Sequence, residues 1–82
     1  MSGVQARAAQ AQRLMDDPML VEALANIRLA AIQAWEGTST DNQQAREFAW
    51  LTVKVVGRIE AELQSIIDNG LIAARRVQAP VR

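Results

Sequence analysis

Apolar residues recur every three or four positions along two stretches of this chain, and a polar break of Glu36, Gly37, Thr38, Ser39, Thr40 and Asp41 separates them. That spacing is the mark of amphipathic helices, because residues three and four apart share a helix face. In the first stretch Leu20, Ala23, Leu24, Ile27, Ala31, Ala34 and Trp35 form one stripe, with Glu22, Asn26, Gln33 and Glu36 opposite and Val21 and Ile32 widening the apolar arc. Asp16, Asp17 and Pro18 supply an acidic cap and a proline at the first helical position, which predicts a helix over 18–36. In the second stretch Ala45, Phe48, Thr52, Val55, Ile59, Leu63 and Ile66 approach a heptad seam. Thr40 and Asp41, with Gln44 three residues after Asp41, predict a capping box. Asn69 and Gly70, followed by Leu71, predict a left-handed C-cap, so this helix spans 42–69.

Folding the break back on itself gives an all-α antiparallel helical hairpin in which facing residue numbers sum to about 79. Ala31 then faces Phe48, Ile27 faces Thr52, Leu24 faces Val55 and Leu20 faces Ile59, while Trp35 covers Ala45 near the break. Residues 14–72 make up the hairpin domain. Residues 1–13, rich in Ala, Gln and Arg, read as a flexible or weakly helical arm, in which Val4, Ala8, Ala11 and Met15 lie at helical spacing. Residues 73–82 read as a basic tail. The second helix outruns the first by about two turns, leaving Leu63, Ile66 and Ile67 to be covered by the arm or by a second chain.

Trp50 points roughly 160° away from Phe48 on a helical wheel, so it cannot serve the same seam. Gly57 lies seven residues further on the same face, beside Val53 and Ala61. A mid-helix glycine costs about 1 kcal/mol relative to alanine, and a close-packed neighbour would account for it. Trp50, Val53, Gly57, Ala61, Leu63, Ile66 and Ile67 are therefore the expected oligomer interface, and the simplest assembly is a two-fold dimer that completes a helical bundle.

With 82 residues the chain makes one small domain, and domains this small bury only about 60% of the surface their unfolded chains expose. It has no Cys and no His, which removes disulfides and the usual zinc sites as staples, and no metal or cofactor is expected. The zero net charge conceals a split. Residues 1–13 and 71–82 carry Arg7, Arg13, Arg75, Arg76 and Arg82 without an acid, while all nine acids lie between them. Arg75, Arg76 and Arg82 are the expected contact to a nucleic acid or an acidic partner, made through phosphates without base readout. Glu60 and Glu62 point about 160° apart and cannot work as an acid–base pair. Ser39 and Thr40 have no histidine to activate them. No glycine-rich phosphate loop is present, and the reading is not an enzyme. The stretch from Met19 to Trp35 is broken by Glu22, Asn26, Arg28 and Gln33, which predicts no membrane span, and no export signal is expected.

Asp17 and Pro18 opening the first helix, Ile27 and Arg28 within it, and Trp35 and Thr38 at its close make one set of marks. Arg46 and Glu47, Trp50 and Leu51, and the ending Leu63, Ile66, Ile67, Asp68, Asn69 and Gly70 make another. Over residues 16–73 this pattern resembles small helical proteins of tailed bacteriophages and prophages, encoded in the head-and-packaging gene cluster. The resemblance implies a non-enzymatic virion-assembly or packaging accessory, cytoplasmic in the host cell or virion-associated, whose partners are its own copies and other phage structural proteins. It carries no catalytic or ligand-binding residue to this chain. Two alternatives stand beside it: a small DNA-packaging or DNA-binding subunit using the arginine-bearing tails, and a regulatory protein-binding inhibitor.

Overall fold

The structure, a computed structural model, describes residues 3–78 and is entirely helical over them apart from two short connections. Helix α1 spans Gly3–Met15, α2 spans Pro18–Gly37 and α3 spans Gln43–Gln78. The arm is thus an ordered helix of 13 residues, docked along the C-terminal half of α3. Although α1 is the shorter of the two partners, its contact with α3 is the more extensive, whereas α1 and α2 barely touch. The molecule measures 64 × 26 × 15 Å, one helix thick and two wide.

Local chemistry sets the helix ends. The Asp17 carboxylate accepts from the backbone N–H groups of Met19 at 2.8 Å and Leu20 at 3.3 Å, answering two of the donors a helix start leaves unpaired. Pro18 then begins α2 at no cost in hydrogen bonds. At the other end Thr38 donates to the Trp35 carbonyl twice, through its backbone N–H at 3.2 Å and its hydroxyl at 2.7 Å. Asn42, not Thr40 or Asp41, caps α3: its side-chain oxygen accepts from the Ala45 N–H at 3.2 Å. The Asp41 carboxyl instead takes a hydrogen bond from Ser39 and one from its own backbone N–H, which together hold its pKa below the ordinary 3.8.

One seam runs the length of α3. Ala49, Val53, Val56, Glu60, Leu63, Ile67, Gly70 and Ala74 are all buried or half-buried, at alternating steps of four and three residues, the spacing that keeps one helix face against a partner. Ala31 of α2 is buried on its N-terminal half and Ala11 of α1 on its C-terminal half. Arg28 reaches across from α2 to donate to the Glu60 carboxylate, which accounts for a carboxylate lying in an otherwise apolar seam.

This seam lies one residue round from the expected one. Phe48, Val55 and Ile59, assigned to the hairpin interior, are 74%, 57% and 43% exposed, while Ala49 and Val56 beside them are buried. Trp35 does not cover Ala45 as core; it stays partly exposed with the Arg46 guanidinium over its ring at 4.2 Å. The reason is the third helix. A stripe that serves α2 and α1 in turn must supply small residues where α1 crosses, and the line through Ala49 reaches Gly70 and Ala74 there in unbroken alternation of four and three.

Gly70 makes the same point. Far from ending the helix, it sits buried within it, and the described residues include no glycine with positive φ. A β-carbon placed on Gly70 would lie 2.1 Å from the Ala8 β-carbon, a distance no side chain tolerates. Glycine is needed here for close approach of two helices, and α3 continues for two further turns. Arg75 and Arg76, assigned to a tail, lie in its last turn, where positive charge complements the helix dipole.

Candidate self-association surface

Among the described residues only Ala11, Ala31, Ala49, Val56 and Ile67 form buried apolar core. Three of the five are alanines, and full burial of a Val or Ile side chain contributes about 1.5–3 kcal/mol. Most of the larger apolar side chains are half-buried or exposed, and those of α3 fall on two sides of its seam.

The first side follows the stripe Phe48, Thr52, Val55, Ile59 and Ile66 on α3. Beside it α2 contributes Ile27, Ala30 and Ala34. Phe48 and Thr52, with Ile27, Ala30, Ala34, Ala45 and Ala49, line an open groove of about 700 Å³ that Thr38, Asn42 and Gln44 border at the polar break; Val55, Ile59 and Ile66 continue the stripe beyond it. The Thr52 hydroxyl donates to the Phe48 carbonyl at 2.9 Å, so its polar group is already satisfied and its methyl completes an apolar surface. Further along, Ile66 opens onto a second groove of about 510 Å³ shared with Val4 and Arg7 of α1.

The second side carries Trp50. Its ring is 53% exposed, with the Lys54 ammonium 4.9 Å from the ring centre. Val53 is half-buried and shares a small hollow of about 160 Å³ with Ile32, Trp35 and Trp50. Gly57 and Ala61 are exposed, and nothing approaches within 4 Å of the place a Gly57 β-carbon would occupy.

The seven residues expected at an oligomer interface are therefore not one surface. Trp50, Val53, Gly57 and Ala61 share the second side. Ile66 belongs to the first. Leu63 and Ile67 sit in the seam: Ile67 is 8% exposed and borders Ala8, Gly70 and Ala74, so α1 of the same chain takes the place assigned to a second copy. The sequence did contain the signal, in the helical spacing of Ala8, Ala11 and Met15. What it obscured was Phe48, Val55 and Ile59, bulky enough to look like core and left outside it.

The charged candidates gather at one end. Because α1 starts where α3 finishes, Arg7 and Arg76 line the same groove with Asn69, Ser65 and Glu62, and Arg75 is exposed beside them. Arg82 lies outside the described residues. No group of His, Cys, Asp and Glu among the described residues is placed to hold a metal ion, and no described helix is long and apolar enough to cross a membrane. Comparison with protein-family models, with curated proteins and with solved structures gives no match to this chain.

Proposed function

We propose that this chain is a non-enzymatic structural or adaptor protein that works as a homo-oligomer, most simply a two-fold dimer in which two antiparallel hairpins complete a helical bundle. One observation carries the reading: Ile27, Phe48, Val55 and Ile59 stand open on a single side of a molecule 15 Å thick. Soluble monomers rarely present a contiguous apolar patch larger than a few hundred Å², and a second helical layer is the ordinary way to cover one. The resemblance of residues 16–73 to small phage accessory proteins supports a place in virion assembly or packaging, in the host cytoplasm or on the virion. The test is absolute mass in solution by sedimentation across a micromolar concentration series. A dimer or larger species is expected, and a monomer throughout the series overturns the proposal.

A second reading, a small DNA-binding subunit, draws on the grouping of Arg7, Arg75 and Arg76 at one end. It requires duplex binding that weakens steeply with salt, as release of counterions from phosphates demands, and that is lost in an Arg75→Ala, Arg76→Ala chain. Salt-independent binding, or none, removes it.

A further inference from the structure

We propose that the second copy docks on the Phe48 side, not the Trp50 side, and that the two α3 helices cross it in opposite directions about a two-fold axis that passes between Val55 and Ile59, at the level of position 57 along the helix. This rests on the self-association reading and specifies its geometry.

The surface available fits the occupant. The chain exposes 6546 Å², where a compact monomer of 9.0 kDa exposes roughly 4,900 Å². The excess over the whole molecule, about 1,650 Å², exceeds the ~800 Å² per partner that a stable interface removes from water. The Phe48 side offers the larger groove, about 700 Å³ against about 160 Å³ beside Trp50, and Trp50 already has Lys54 against its ring.

The direction follows from spacing and charge. Positions 48, 52, 55, 59, 62 and 66 are separated by four, three, four, three and four residues, a pattern that reads identically from either end and is centred on 57. Opposed directions place Phe48 against Ile66, Val55 against Ile59 and Thr52 against Glu62. An isologous interface of this kind makes each contact twice. Phe48, the most exposed of the large apolar side chains, then meets the groove that Ile66 shares with Val4. Parallel helices would set Glu62 against Glu62 in a desolvated seam, and like charges there disfavour pairing. They would also bring Arg7, Arg75 and Arg76 of both copies to one end. Opposed helices separate these groups by the length of the molecule.

The absence of cysteine makes the test clean, because facing positions can be joined by a disulfide only where β-carbons come within about 4.5 Å. Full-length Phe48→Cys and Ile66→Cys chains, mixed and mildly oxidised, should give a covalent heterodimer, and each variant alone should give little. Val55→Cys mixed with Ile59→Cys provides an independent pair. In parallel, Val55→Asp should raise the dimer dissociation constant at least tenfold, with Trp50→Ala changing it less than twofold. Covalent homodimers from each cysteine variant alone would overturn the opposed arrangement. A wild-type dimer that neither cysteine pair captures and that Trp50→Ala dissolves would overturn the choice of side while leaving self-association standing. A wild-type chain monomeric at all concentrations would remove both.

Discussion

The two halves of α3 solve the same packing problem differently. Along its C-terminal half α1 lies close, its Ala8 fitted over Gly70 and its Ala11 buried. Along the N-terminal half α2 is braced by larger groups, the Arg28–Glu60 pair and the Arg46–Trp35 stack, and open grooves remain on both sides. Small residues permit a close contact with little apolar area, whereas large ones carry the area but leave half of it uncovered. The close half buries its seam within the chain and keeps grooves only at its margins. The open half leaves Phe48 uncovered, the most exposed of the large apolar side chains.

That contrast can be broken most directly with two isoleucines of α3. Ile67→Ala removes a side chain buried under α1 and should cost about 2–5 kcal/mol. Ile59→Ala, on the open side, should cost less than about 1 kcal/mol when both are measured by denaturant unfolding at concentrations low enough to keep the chain monomeric. Equal costs would mean that the two halves are equally packed. Gly70→Leu comes next: overpacking at the α1 crossing should cost about 1–3 kcal/mol. Hydrogen exchange should locate the damage, with α1 amides losing protection while those of α2 keep theirs.

Removing the cap between the halves is a smaller perturbation. Asp17→Ala should lower stability by about 1 kcal/mol and speed exchange at the Met19 and Leu20 amides, whose acceptor it deletes. The smallest effect belongs to the connection before α3, outside both halves. Ser39→Ala should raise the Asp41 pKa toward 3.8, read by carboxylate NMR titration, since the Ser39 hydrogen bond is the chief cause of its lowering. A pKa lowered in the folded state contributes stability that is present above the unfolded value and is lost as pH falls through the folded one. Ser39→Ala should therefore remove a small contribution present at neutral pH and flatten the acid limb of the stability curve below about pH 4, with wild type and variant converging at the lowest pH.

What could be read from sequence was whatever local chemistry decides. Asp17 and Pro18 start α2 where their capping geometry requires, and the polar break from Glu36 to Asp41 separates the helices as its composition suggests. Gly70 was misleading because one residue serves two needs: a left-handed cap, or a bare backbone for a neighbouring helix. Only the presence of α1 alongside distinguishes them. The α3 seam was hidden for a related reason. Bulk drew attention to Phe48 and Val55, while Ala49 and Val56, which the partner helix covers, carry less of the apolar signal than the residues beside them. Apolar residues surround so much of α3 that periodicity alone admits either line. The arginine grouping at one end, by contrast, needed the chain path, since Arg7 and Arg76 are neighbours only because α1 and α3 run side by side.

Where Ala8 meets Gly70, the two helices are held apart by a single methyl group. That methyl can belong to either backbone, but not to both. Exchange of the two residues, Ala at position 70 with Gly at position 8, would conserve the spacing, whereas an alanine at both would force the rods apart. Positions 8 and 70 are thus bound into one inheritance, free to trade places and unable to grow independently.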